Sequence, residues 1–507
     1  MKKKINIIGA GIAGLSAGCY LQMHNYDVEI FEMHDIPGGL CTSWERKGYN
    51  IDTCIHWLVG SSPNDSFYNL WNEILSMKSL QFVDHSIYSK FYDADGNSLV
   101  IYSDINKLEE ELLTKAPEDR KLILSFTNAV RKFSKLDITS EKANELFTFK
   151  DNLKMFTKIL PYIFIFNKWL KISASDFAKK FKNPLVKKAF EYLFTPSSSC
   201  LFLIITLGWF DKKSAGYPIG GSLNFSKKIE ETFLKLGGKI SYKSKVNKIL
   251  YEQENSKYKA VGIELEDGSK HLSDIVISAA DGHFTLFNML DGKFLTNQIK
   301  DFYANKKTFS SLIQIAYGIS KEISTDCHSN NYLIKNPINI DDQTNADAFS
   351  VRILNFDPTL APSGKTLITV TFETYSYEYW VNLKNNNPRK YKEEKDRIAK
   401  ETLNLLEEKI GNIKDYVKMT DVSTPSTIIR YTNNWKGSFE GWEITPEVGL
   451  KQISKTLPDL LSFYMIGQWV VPGGGLPGCL LTGRDVAQII CHNDNVDFNP
   501  KLNKGKI

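Results

Sequence analysis

Between residues 5 and 32 the chain reads INIIGAGIAGLSAGCYLQMHNYDVEIFE: a short apolar strand, the glycines Gly9, Gly11 and Gly14, an amphipathic helix, and a second strand closed by Glu32. Few sequences constrain a fold so tightly, because each part has a mechanical duty toward a dinucleotide. Gly9 turns the chain sharply, Gly11 removes the side chain that would block a pyrophosphate, and Gly14 lets the helix pack close on the strand, with its N-terminus facing the phosphates. Glu32, eighteen residues past Gly14, ends the second strand where a ribose would lie, and its carboxylate can accept hydrogen bonds from ribose hydroxyls. GxGxxG alone is weak evidence. Strand, helix and acid at these spacings together make a dinucleotide-binding start.

A chain of 507 residues exceeds what one core usually holds, so two or three domains are expected. Apolar content of 42% with 24% charged residues is that of an ordinary globular protein, and a net charge of +5 is too small at this length to indicate nucleic acid. Seven cysteines without a CxxC pair point to a reducing, cytoplasmic setting rather than a disulfide frame, and no metal-ligand spacing occurs. Lys2, Lys3 and Lys4 precede only a four-residue apolar strand, too short for the apolar region of a secretory leader. The longest apolar runs, residues 159–166 and 200–210, fall short of the roughly 18 residues that cross a bilayer.

After Glu32 come Gly38-Gly39, which again let backbone approach a ligand, a strand at residues 48–52, and the stretch DTCIHWLVG from Asp52 to Gly60. The spacing of the first fingerprint, the glycine pair and DTCIHWLVG resemble the FAD-binding start of the phytoene desaturase, carotenoid isomerase and retinol saturase family, related more distantly to amine oxidases. One departure is Cys54, where that family more often has glycine. The resemblance implies FAD as cofactor. It extends the cofactor-binding set from Gly9, Gly11, Gly14 and Glu32 to Ala10, Ile12, Ala13, Met33, Gly38, Gly39, Leu40, His56 and Trp57.

Hairpin strands at 87–92 and 98–102 and helices capped by Asp104 and opened by Pro117 lead into a mostly helical section through Phe194. Within it, residues 151–190 carry nine lysines against two aspartates, a surplus larger than that of the whole chain. Aromatic and aliphatic residues are interleaved with them. That composition suits docking on an anionic membrane, with Phe156, Ile163, Phe164, Phe166 and Trp169 entering the headgroup boundary and Lys154, Lys158, Lys168 and Lys171 meeting lipid charge. A solvated basic face over a core helix is the competing reading. Pro161 breaks or kinks the segment.

Gly220-Gly221-Ser222 opens a further helix that stops at Gly237-Gly238, and strands follow at 239–242, 246–253 and 275–281. The resemblance makes these the second part of the FAD domain, with Val246 against the adenine and Ala279 beside the cofactor. Residues 302–420 hold strands at 311–319, 348–355 and 366–374 and a charged helix at about 391–410, and look like the second half of a substrate domain. Near the C-terminus, FYMIGQWVVPGGGLPGCLLTGRDVAQIIC spells a literal second GxGxxG at Gly473, Gly475 and Gly478. Too little chain follows to build a second dinucleotide unit. By resemblance it is a C-terminal flavin motif, with Gly467 and Gln468 at the ribitol and a helix that begins near Gly475, Leu476 and Pro477 aimed at the flavin pyrimidine. Gln468 stands where relatives commonly have an acid.

The implied architecture is α/β: a Rossmann-like FAD domain assembled from residues 1–85, 216–300 and 425–507, and an inserted α+β substrate domain from 86–215 and 301–424 with a largely helical, membrane-facing section. No hydrolase elbow, metal set or carboxylate pair is legible. The resemblance implies a FAD-dependent oxidoreductase that saturates or desaturates a carbon–carbon double bond in a long isoprenoid, carotenoid, retinoid or lipid. Its electron donor or acceptor is not encoded in any motif. Redox-neutral cis/trans isomerisation of a polyene by reduced FAD is the alternative. A non-catalytic prenyl-binding chaperone like the GDP-dissociation inhibitors is a third, against which Gly11, Gly14 and Glu32 argue. His56, Trp57, Tyr431, Trp442 and Trp469 are placed near substrate, His56 being the only one of them able to move a proton near neutral pH.

Overall fold

A computed structural model describes residues 2–137, 139–193 and 195–500. The first sheet begins with the fingerprint. Strands Lys239–Ser241, Asp27–Phe31, Lys4–Ile8, Ile275–Ser278 and Leu460–Met465 lie side by side in that order, all parallel. Lys257–Leu265 continues the sheet in parallel, and Val246–Glu254 and Lys270–Leu272 pair with it antiparallel. The helix Ile12–Met23 packs against both Gly221–Lys235 and Gly475–Asn493. It is not amphipathic as the sequence reading had it: residues 12–21 are all buried, because the sheet lies on one side and two helices close the others.

The second sheet has seven strands in the order Val417–Ser423, Ser311–Ile319, Thr366–Thr374, Asn345–Ile353, Ser329–Asn339, Ile87–Tyr92 and Ser98–Tyr102. All pairs are antiparallel except Ser329–Asn339 with Ile87–Tyr92. One face presents Ile313, Ile315, Val351 and Val370 to a core shared with Ile398 and Leu406 of the helix Pro388–Ile410. The opposite face presents Gln314, Ser350, Arg352 and Thr371 to an internal cavity. Two strands were not expected, Ser329–Asn339 and Val417–Ser423. The first is rich in asparagine and contains Pro337, residues that strands usually avoid, and the register slips between Leu333 and Ile338 where the proline sits.

A helical layer covers the second sheet's edge, with Ile105–Lys115, Arg120–Phe133 and Cys200–Asp211 around Phe126, Phe177 and Phe190. The apolar run at 200–210 is therefore a buried helix. Among the described residues no helix is long and apolar enough to cross a membrane. Phe194, the expected end of the section, lies outside the described residues. At Pro161 the basic segment divides into Phe149–Ile159, a 3-10 turn at Leu160–Tyr162, and Ile163–Leu170.

That division corrects two of the membrane assignments. Trp169 is 2% exposed and packs on Phe126 and Phe177, while Phe166 stands edge-on to Phe133. Both face inward because they lie on the side of their helix that meets Arg120–Phe133. The outward apolar row is instead Phe149, Leu153, Phe156, Leu160 and Phe164, spaced at three or four residues along one side and running up to 85% exposed at Phe164.

Candidate functional site

The fingerprint turn opens on a cavity of about 1260 Å³ that continues beneath the second sheet and the helical layer. A Cβ on Gly14 would lie 2.0 Å from the Gly9 carbonyl oxygen, so only glycine allows this helix to meet this strand. A Cβ on Gly11 would meet nothing nearer than the Gly38 carbonyl oxygen at 3.9 Å; it would project into free space at the N-terminus of Ile12–Met23, whose first N–H groups have no partner within the helix. Glu32 has a duty the sequence did not disclose. Its carboxylate accepts the N–H of Ala10 at 2.7 Å and of His34 at 2.8 Å, pinning the fingerprint turn to the end of the second strand. Burial raises its pKa, opposed by those two bonds.

Of the residues assigned to cofactor, Gly9, Gly11, Ile12, Ala13, Glu32, Met33, Gly38, Gly39, Leu40, Val246, Ala279, Gly467, Gln468, Gly475, Leu476 and Pro477 all border this cavity, as do His56 and Trp57. Two do not. Gly14 faces the strand, and Ala10 contributes its N–H to Glu32 rather than to the cavity. The helix Gly475–Asn493 starts at the cavity edge with Gly474 at φ 33°, and Gly467 N–H is held by Thr482 Oγ1 at 2.9 Å. Gln468 gives its Nε2–H to Asn434, which also accepts the Trp469 indole N–H.

Two substrate assignments change. Trp442 is fully buried among Phe302, Tyr303, Trp435 and Trp469, its indole N–H on the Trp469 carbonyl, and does not reach the cavity. A tryptophan next to a glycine bend packs wherever the core has room, and sequence carries no signal for that side. Tyr431 borders the cavity but stands on its rim, 42% exposed and edge-on to His34, at the end marked by Glu32. It belongs to the nucleotide end. Trp57 packs against Trp209 and Phe210 on the apolar wall. His56 is exposed to the cavity and makes no hydrogen bond among the described residues.

Sequence reasoning missed several polar groups here. Glu440 borders the cavity beside the glycines of the C-terminal motif, with its Oε1 2.8 Å from where a Cβ on Gly475 would be. Burial pushes its pKa to about 8, so it holds a proton at neutral pH. His85 and His328 stack with ring centroids 3.6 Å apart, and burial lowers them to about 4 and about 3, which keeps both neutral. Nothing in the local sequence of these residues marks them, since 243 positions separate the two histidines.

A parallel sheet whose glycine turn opens on an internal cavity, with a second helix N-terminus at its edge, is the architecture of a dinucleotide-cofactor protein. The chain belongs to the family described as flavin containing amine oxidoreductase, whose model matches residues 12–491; FAD is its cofactor. It is 26% identical to prolycopene isomerase 2 of an Oncidium hybrid cultivar, over 94% of this chain and 82% of that one. To the 1-hydroxycarotenoid 3,4-desaturase of a Flavobacterium it is 25% identical over 97% and 99% of the two chains. Among solved structures an oxidoreductase from Methanosarcina mazei superposes with a TM-score of 0.59 at 18% identity, covering 95% of this chain and 99% of that one.

The residues present fit FAD. The open space in front of Gly11 suits the pyrophosphate, Glu32 retains lone pairs for a ribose, and the Gly475–Asn493 N-terminus offers partial positive charge where a reduced flavin carries negative charge.

Proposed function

We propose that this oxidoreductase changes the redox state of a carbon–carbon double bond in a long unsaturated apolar molecule of the polyene class. The observation that carries the reading is the continuity of the cavity: one space runs from the glycine cradle to a wall built from Phe133, Phe166, Phe202, Trp209 and Phe210. FAD supplies hydride acceptance or donation when bound. The protein's part is to hold the chain beside it, keep water away with that wall, and move one proton. A polyene C–H is too weakly acidic for any side chain to match, so general-base chemistry on the substrate contributes little. His56 and protonated Glu440 both border the cavity and can carry the accompanying proton.

Redox-neutral cis/trans isomerisation is the second reading, supported by the likeness to prolycopene isomerases across most of the chain. The two separate by mass: lipid recovered from the purified protein, incubated with it and analysed by mass spectrometry, changes by two hydrogens only in the first. A protein that purifies without flavin or lipid and leaves polyenes unchanged would count against both.

Delivery from a membrane completes the proposal. The row Phe149, Leu153, Phe156, Leu160 and Phe164 is exposed, while Met155, Ile159 and Phe166 on the other side of the same two helices border the cavity. Lys150, Lys154, Lys158 and Lys171 are exposed around that row. An apolar substrate dissolved in the cytoplasmic face of an anionic membrane would then enter beside helices that dock there.

A further inference from the structure

The apolar wall covers only one side of the substrate end of the cavity. Its floor is the face of the seven-stranded sheet that carries Gln314, Thr371, Ser350 and Arg352, with Ser350 and Thr371 opposite one another and Arg352 between Ser329 and Thr369. Arg352 stands out among these. Among the described residues its guanidinium has no hydrogen-bond acceptor and no ion-pair partner, and Asp52 acts on it only through its charge. Asp52, the carboxylate whose charge reaches it, is already held by Ser222 N–H, Ser222 Oγ–H and Cys54 N–H. Glu373, farther along the same sheet face, accepts Ser310 Oγ–H, and burial shifts it toward its neutral form. Burial also lowers the Arg352 pKa to about 9, still on the charged side of neutrality.

Arg352 is half-buried on the cavity floor, and a ligand that covered it without supplying an anion would leave a desolvated, unpaired charge, which is costly. A hydrocarbon reaching this floor would strip water from Arg352 and return nothing. The surroundings suit an anion instead. Arg352, His56, His328 and Thr371 also border a small recess beside the main cavity; Asp52 borders it too, its carboxylate held by Ser222 and Cys54, and the neutral His85–His328 pair adds no competing charge. His85 Nε2 is buried without a partner on the same wall.

We infer that the substrate is an amphiphile, an unsaturated apolar chain with an anionic terminus of the carboxylate kind, and that Arg352 binds that terminus while the chain lies along the aromatic wall. The inference rests on the polyene reading given above. It makes Arg352 the residue that sets chain position and therefore which double bond lies beside the flavin; a guanidinium is suited to this because its planar donors grip a carboxylate in two places.

The test uses the flavin-loaded protein with two probes of the same carbon skeleton, all-trans-retinoic acid and its methyl ester, with binding read from the perturbed flavin absorbance. The acid is expected to bind about tenfold tighter or more, the scale of one buried charge-assisted pair. Arg352→Met should erase that preference by weakening the acid alone, and Arg352→Lys should keep part of it. Equal binding of acid and ester by the unmodified protein overturns the anionic terminus, and a preference that survives Arg352→Met overturns Arg352 as its binder; both leave the polyene reading standing. If neither probe binds, the polyene reading fails and this inference with it. The acid-to-ester ratio of the unmodified protein decides the matter even where Arg352→Met does not fold.

Discussion

Glu32 shows how one side chain serves both the fold and the ligand. Because it pins the Ala10 and His34 N–H groups as well as facing the ribose position, Glu32→Ala is expected to weaken FAD by about 1 to 3 kcal/mol. Gly11→Val should be worse, since its side chain would fill the free space before the helix N-terminus. Flavin content per folded protein measures both, and full occupancy in both variants would refute the fingerprint assignment. Glu440 and His56 are the alternative proton donors of the proposed reaction. Raised to about 8, Glu440 is a carboxylic acid through neutrality and loses its proton as pH climbs past that value. If it donates, turnover falls above about pH 8, and Glu440→Gln lowers turnover by roughly 10²-fold and removes that limb from the profile. His56→Phe, with FAD still bound, should cost a similar factor if the imidazole is the donor instead. Whichever variant keeps full turnover loses its catalytic assignment.

At the scale of elements, the paired helices Phe149–Ile159 and Ile163–Leu170 present an exposed apolar row, Phe149, Leu153, Phe156, Leu160 and Phe164, that no other described element covers. Sedimentation with anionic vesicles is expected to weaken with salt and with Lys150, Lys154 and Lys158 changed to glutamate, each lysine contributing about 1 kcal/mol. Phe149→Ser with Phe164→Ser should nearly abolish it. Binding indifferent to both salt and these changes would return the segment to a lid over the cavity. The stacked histidines tie two elements together, His85 before the strand Ile87–Tyr92 and His328 before Ser329–Asn339. Their folded pKa values lie below the ordinary 6.5, so the unfolded chain binds more protons. Their contribution to stability is complete above about pH 6.5 and is lost as pH falls toward 4. Thermal denaturation should show a loss on the order of 1 kcal/mol per histidine between pH 7 and 5, and His85→Phe should flatten that dependence. A pH-independent midpoint in that range would contradict the neutral stack.

In the whole molecule, the cavity is bounded by residues from nearly every part of the chain, from Ile8 to Asp485. A ligand that binds the folded state stabilises it by mass action, so removal of FAD is expected to lower the melting temperature and re-addition to restore it; a midpoint that does not move would mean that FAD does not bind the folded protein. The first sheet was readable in the sequence because its central strands are short apolar runs bounded by glycine turns and an acid, signals that act within thirty residues. Its all-round burial of Ile12–Met23 was not, since the covering helix Gly475–Asn493 arrives from the other end of the chain. The inward turn of Phe166 and Trp169, and the burial of Trp442, depend likewise on which neighbour a helix or bend meets. What the sequence by itself determined is the dinucleotide cradle, the order of the main elements and the break at Pro161, because backbone conformation at glycine and proline is a local matter. Only the tertiary structure decided which polar groups share the cavity: Glu440, His328 and Arg352 lie hundreds of residues from the fingerprint and His85 lies outside it, and their protonation is set by burial against segments that no local pattern names.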